Sequence, residues 1–166
     1  MKEKQLELLI IENNLNLNFK IGDFMAHQLS IFVENKPGKF EKITKILGEK
    51  DLNIRGFSVA SSGDFGVLKI IVNNPEKAFE ILKENNITVS IRNILAVQID
   101  DNSGSLHNLL NILSTNNINL EDCYGISVAY NKSAVIIIEV EKYPEAEKIL
   151  LANNIRILND SEIYSL

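Results

Sequence analysis

Residues 27–34 alternate in polarity, with Leu29, Ile31 and Val33 on one side, and that period of two predicts a strand. A polar turn follows, Glu34-Asn35-Lys36-Pro37-Gly38-Lys39-Phe40, and then the period changes. Phe40, Ile43, Ile46 and Leu47 fall three and one residues apart, which is the apolar stripe of a helix weakened at its end by Gly48. Residues 54–60 and 65–72 predict two strands joined through a hairpin turn at Ser61-Ser62-Gly63-Asp64. Asn74 as N-cap and Pro75 at the first helical position open a second helix that runs to about residue 84. Ala78, Phe79, Ile81 and Leu82 supply its apolar side, and residues 87–91 read as a last strand.

The same order then returns. A strand is expected at 94–100, and a helix carries Leu106, Leu109, Leu110 and Leu113 at i, i+3, i+4 and i+7. Residues 118–129, a turn at Tyr130-Asn131-Lys132, residues 134–140, a helix over 144–152 and a strand from Ile155 complete the second copy. Asp100-Asp101-Asn102-Ser103-Gly104-Ser105-Leu106 stands where the first polar turn stood, with Gly104 66 residues after Gly38. The fold class is therefore α+β: two tandem ferredoxin-like βαββαβ units, each an antiparallel four-stranded sheet with both helices on one face. The expected divisions are an N-terminal extension over 1–26, a first unit over 27–92 and a second over 93–166. No Gly- or Ser-rich linker separates the copies, and residues 87–100 are almost unbroken strand-like sequence, so rigid coupling is expected. Within 1–24, Leu15, Leu17, Phe19 and Ile21 alternate as an edge strand would, with no counterpart in the second copy. Met25 directly precedes the first unit, so that stretch is either an accessory or lies upstream of the translation start.

Composition narrows the function. With 166 residues and 45% hydrophobic content the chain can bury two small cores, each marginal alone. A net charge of −5 and a pI near 5.1 offer no basic face for phosphates, which argues against nucleic acid and against an anionic membrane surface. No apolar run approaches the roughly 20 residues of a membrane helix, and Glu7 and Glu12 interrupt the only signal-peptide-like stretch. Cys123 is the single cysteine, expected in the core or an interface, so disulfides and zinc sites are not implied and a cytoplasmic location is the default. His27 and His107 lie apart with no serine or carboxylate pattern around them, so no catalytic residue, metal or cofactor is assigned.

The chemistry concentrates in the repeated turn. A helix beginning at Gly38 or Lys39 has backbone N–H groups with no intrahelical acceptor, and together with the positive end of the helix dipole they suit a carboxylate. The side chain of Asn35 can offer its oxygen to an ammonium group or its amide to a carboxylate, and Asp101 can meet an ammonium directly. The run from Leu29 through Asn35-Lys36-Pro37-Gly38-Lys39-Phe40, with Leu52-Asn53-Ile54 after the helix, resembles an ACT domain, a small regulatory module that binds amino acids. The resemblance covers residues 27–164 as two tandem copies. The second keeps Gly104 and Asn119 but replaces Asn-x-Pro-Gly with Asp101-Asn102-Ser103-Gly104.

By that resemblance the ligand residues are Asn35, Lys36, Pro37, Gly38, Lys39, Phe40, Asn53 and Ile54 in the first copy. Asp101, Asn102, Ser103, Gly104, Ser105, Leu106 and Asn119 are their counterparts in the second, with each turn facing a strand start of a neighbouring module. The function so implied is a stand-alone regulatory protein, a homodimer that binds a small amino acid and modulates a partner enzyme of amino-acid metabolism or another regulator. The alternative is a ligand-independent interaction or oligomerisation module. The residues themselves leave other roles open: Asn53 and Asn119 also suit local backbone satisfaction, Lys36 and Lys39 suit solvated charge, and Tyr124 suits an interface.

Overall fold

The computed structural model describes residues 24–126 and 133–166, so the expected strand over 15–21 and the turn at 130–132 lie outside the described residues. The described residues form two compact units, one of His27–Asn93 with Asp160–Leu166 and the other of Ile94–Asn159 with Phe24–Ala26. They are called here the first and second modules.

The first module contains β1 (Ala26–Glu34, less its first residue), α1 (Lys39–Gly48), β2 (Ile54–Ser62), β3 (Phe65–Val72), α2 (Pro75–Glu84) and the start of β4 (Val89–Asp100). Its strand order is β2-β3-β1-β4, with β3 antiparallel to both β1 and β2. Leu29, Ile31, Leu68, Ile70 and Val72 from the sheet bury against Ile43 and Leu47 of α1 and Ala78 and Leu82 of α2. The period of two meets the period of 3.6 there, and each leucine, isoleucine or valine contributes on the order of 1.5–3 kcal/mol when fully buried.

The second module continues along β4 and adds α3 (Ser105–Thr115), β5 (Leu120–Ile126), β6 (Ser133–Val140), α4 (Tyr143–Ala152) and β7 (Arg156–Leu158). Its order is β7-β4-β6-β5, and all three pairings are antiparallel. Every buried residue of the first core has a counterpart in the second. Leu29, Ile31, Ile43, Leu47 and Leu52 recur 66 positions later as Leu95, Val97, Leu109, Leu113 and Ile118. Leu68, Ile70, Val72, Ala78 and Leu82 recur 68 positions later as Ile136, Ile138, Val140, Ala146 and Leu150, so the second β-hairpin is two residues longer. Both modules are thus the ferredoxin-like arrangement expected from the pattern.

Helix ends repeat as faithfully as cores. Asp51, Asn86, Asn117 and Asn154 all take positive φ near 57°, as short polar side chains tolerate. The next residue then returns an N–H to the last turn at 3.0 Å: Leu52 to Leu47, Ile87 to Leu82, Ile118 to Leu113 and Ile155 to Leu150. Each reversal drives an apolar side chain toward the core. Asn74 caps α2 as its sequence position predicts, accepting from the Lys77 N–H at 3.0 Å with Pro75 behind it.

Two features depart from the sequence reading. Residues 160–166, expected in the second unit, belong with the first, where Asp160–Tyr164 forms a short helix, α5, with Ile163 fully buried. Cys123 is exposed and so lies outside the core, one of the two places expected for it, because β5 is the edge strand of its sheet.

Candidate functional site

Both glycine turns hold one geometry. Gly38 sits at φ 82°, ψ −12° and Gly104 at φ 93°, ψ −13°, each directly before its helix. The Lys39 N–H bonds to the Lys36 carbonyl at 3.2 Å and the Lys42 N–H to the Gly38 carbonyl at 3.0 Å. In the second module Ser105 bonds to Asn102 at 3.2 Å and Asn108 to Gly104 at 2.9 Å. Among the described residues none accepts from the N–H of Phe40 or Glu41, nor from that of Leu106 or His107. Those donors carry the positive end of the helix dipole. Both glycines are exposed, and a Cβ built on either meets no atom within 4 Å, so the backbone is open to a ligand. Pro37 is not needed for this shape, since Ser103 supports the same dihedrals.

Around the first turn the side chains are already arranged. The Asn35 N–H donates to the Asp64 carbonyl at 2.8 Å, and its side-chain amide donates to the Gly63 carbonyl at 3.1 Å. Because only the NH2 end can donate to a carbonyl, the Asn35 Oδ1 remains as an acceptor, the half that suits an ammonium. Lys36 pairs with the Glu34 carboxylate at 2.9 Å, and Lys39 pairs with its other oxygen. Hydrogen bonds from Lys39 first and Lys36 second, with their charges, hold the Glu34 carboxyl down to about 2. Phe40 packs against Phe57 with ring centroids 6.0 Å apart, and Phe57 and Val59 on the edge strand β2 are 60% and 54% exposed. They form an apolar shelf beside the turn.

The second turn has the same backbone and different charge. Asp100 and Asp101 stand there without the lysines, since Lys36 and Lys39 correspond to Asn102 and Ser105. Leu106, the counterpart of Phe40, is exposed.

Asn53-Ile54 and Asn119 lie at the far ends of α1 and α3 from these turns, a helix length of about 15 Å away at 1.5 Å per residue. Within a module the two groups of expected site residues are therefore not brought together. The Asn53 N–H donates to Asn73 Oδ1 at 3.0 Å, and the Asn73 N–H donates back to the Asn53 carbonyl at 3.1 Å. The Asn119 side chain reaches Glu121 at 3.4 Å, a long contact. Beside Asn119 an open depression of about 480 Å³ is lined by Leu110, Leu113, Ser114, Asn117, Ile118 and Leu120.

Arg55 and Phe57 escaped the sequence reading. Phe57 carried a signal, as an aromatic at an alternating position of a predicted strand; Arg55 carried none, because its partners lie more than a hundred residues away. Among the described residues no group of three or more His, Cys, Asp or Glu is placed to hold a metal, and no helix is long and apolar enough to cross a membrane.

These features define a class: tandem ferredoxin-like modules, each with an open glycine turn at a strand-to-helix junction. Residues 24–166 match the family described as ACT domain pair, and the chain belongs to that family. Its structure is similar to the crystal structure of a Bacteroides thetaiotaomicron protein, with TM-score 0.81 and 30% identity over 86% of this chain and 98% of that one. It also shares its fold with the aspartate kinase regulatory subunits of Thermus thermophilus (TM-score 0.58, 16% identity, 81% and 94% covered) and Thermus flavus (0.57, 15%, 79% and 94%). Comparison with curated proteins returned no match.

Proposed function

We propose that this chain is a regulatory protein that binds a small amino acid at ACT-domain interfaces and modulates an enzyme of amino-acid metabolism or another regulator. The observation that carries the reading is the first turn, which offers both the unpartnered N–H groups of Phe40 and Glu41 as donors and the Asn35 oxygen as an acceptor. A zwitterion needs that pair, carboxylate to the amides and ammonium to the oxygen. The two aspartate kinase regulatory subunits that share the fold support a regulatory role. Millimolar sensing asks for about 4 kcal/mol, which is about 0.4 kcal/mol for each of roughly ten heavy atoms and well within the reach of a small ligand. Because a module's turn and strand start are a helix length apart, the site closes only with a neighbouring module, and a homodimer supplies one. The setting is cytoplasmic, and the chain's part is binding rather than catalysis.

The test is a melting series with each proteinogenic amino acid at 10 mM against purified protein. A millimolar ligand at 10 mM stands at about ten times its Kd and raises stability by about 1.4 kcal/mol, so one or a few amino acids lift the Tm by a few degrees. No shift with any of them refutes the reading. The exposed Phe57, Val59 and stacked Phe32–Phe65 pair favour a second reading, a ligand-independent interaction module. Under it Asn35→Ala leaves partner capture unchanged with or without amino acid, whereas the first reading has the amino-acid response disappear.

A further inference from the structure

The two strand starts that complete such sites are built unequally. Each begins with a β-bulge: the register of β2 slips between Ile54 and Gly56, leaving Arg55 as the extra residue, and that of β5 slips between Leu120 and Asp122, leaving Glu121. A bulge residue lacks its ladder partner, so the chain there is held only by what its side chain and its neighbours find.

In the first module it is held on both sides. Upstream, the two hydrogen bonds with Asn73 fix the Asn53 backbone. Downstream, Arg55 Nε donates to the Tyr164 carbonyl at 2.9 Å, and a second guanidinium nitrogen donates to the main-chain oxygen of Leu166. The strap that offers those oxygens is itself anchored, with Ile163 fully buried and the Tyr164 hydroxyl accepting from the His27 N–H at 2.8 Å. Asn53 is exposed, and its side-chain amide has no partner among the described residues. It is a free polar group on a fixed backbone.

In the second module neither clamp recurs among the described residues. Glu141 occupies the place of Asn73, the bulge residue is an acid rather than a guanidinium, and that acid lies near the Asn119 amide. A fixed polar group loses little freedom when a ligand arrives, and this one is not already engaged.

We propose that Arg55 is a positioning residue: by tying the β2 bulge to the strap Asp160–Leu166 it preorganises Asn53, and the first module's strand start is the tighter half-site for the amino acid. This rests on the amino-acid-binding reading above. The experiment uses the full chain, in four variants: Arg55→Ala, Arg55→Lys, Asn53→Ala and Asn119→Ala. The probe is the amino acid that gives the largest melting shift, titrated by calorimetry, with side-chain amide resonances recorded before and after.

Arg55→Ala weakens binding about five- to tenfold, Arg55→Lys recovers part of the loss, and Asn53→Ala weakens binding at least as much as Arg55→Ala. Asn119→Ala changes the tighter site less than twofold. In the ligand-free protein Arg55→Ala shifts or broadens the Asn53 side-chain amide signal and leaves that of Asn119 in place, which general destabilisation would not do. Equal losses from Asn53→Ala and Asn119→Ala, or wild-type affinity in Arg55→Ala, overturn the proposal while amino-acid binding stands. If no amino acid binds the wild type, the functional reading fails first, and an Asn53 amide signal indifferent to Arg55→Ala then refutes the positioning role as well.

Discussion

Gly38→Ala and Gly48→Ala place the same methyl group about 15 Å apart, at the two ends of α1, and are expected to move stability in opposite directions. Neither site is crowded, since a Cβ at either meets nothing within 4 Å, so backbone conformation alone decides the sign. At Gly38, φ 82° imposes a strain of roughly 1–2 kcal/mol on an L-residue. The stiffer unfolded chain returns about 0.4–1 kcal/mol. The net is a loss of about 1 kcal/mol. At Gly48 the helical backbone suits alanine, and the same substitution gains about 0.5–1 kcal/mol. In urea, with a slope of about 2 kcal/mol per molar, the midpoints separate by about 0.8 M. Gly104→Ala mirrors Gly38→Ala because its dihedrals do. A Gly38→Ala protein as stable as wild type, beside a stabilised Gly48→Ala, would mean that the turn does not hold positive φ, and the aimed amides of Phe40 and Glu41 would go with it.

Ile163→Ala removes a fully buried side chain from the strap and costs about 2–4 kcal/mol, read as a lower urea midpoint of the first module's transition. Asn74→Ala deletes the acceptor for the Lys77 N–H and costs about 1 kcal/mol by the same assay. Burial, with smaller contributions from Glu76 and Asp160 against the opposing His27 hydrogen bond, pushes the Tyr164 phenol up to about 12. Its stabilising contribution is therefore whole below about pH 10 and lost as pH rises through about 12; the fall in urea midpoint across that window should be shallower in Tyr164→Phe. Glu34 is depressed to about 2, so its ion pairs persist above the ordinary carboxylate range and are lost only as pH falls through about 2. A carboxyl titration by NMR that gives Glu34 an ordinary midpoint would refute the pairing with Lys36 and Lys39.

Much of this fold was legible because two periods and a few cap residues specify it. Leu29 and Ile31 alternate, Ile43 and Leu47 fall one turn apart, and Asn74-Pro75 marks a helix start without reference to distant contacts. The strap was not legible. Five helical residues span less than two turns, too short for a period to show, and what fixes them, the burial of Ile163 and the bonds to His27 and Arg55, comes from far away in sequence. That Cys123 lies outside the core was hidden for a related reason: alternation identifies β5 as a strand and says nothing of its place at a sheet edge. In the site, the sequence located the turns and the free amides, while the engagement of Lys36 and Lys39 by Glu34 and of the Asn35 amide by Gly63 needed the folded turn.

Duplication explains which differences between the modules carry information. All ten buried positions of the first core are matched by apolar residues in the second, so the constraint of close packing has been met twice with near-equal side chains. The backbone conformations at Gly38 and Gly104, and at the four helix exits, are likewise paired. Divergence falls where packing does not demand a particular residue: Lys36 against Asn102, Lys39 against Ser105, Arg55 against Glu121, Phe57 against Cys123, Asn73 against Glu141. None of these belongs to either buried core, yet each alters the charge, rigidity or apolar surface offered at a turn or a strand start. The first module gains cations, an aromatic shelf and a clamped asparagine; the second has acids and an open depression. A single ligand meeting both sets cannot find them equivalent, because equal affinity would require these changes in charge and preorganisation to cancel. Two copies of one fold thereby present two chemically distinct surfaces on cores that keep the same apolar positions.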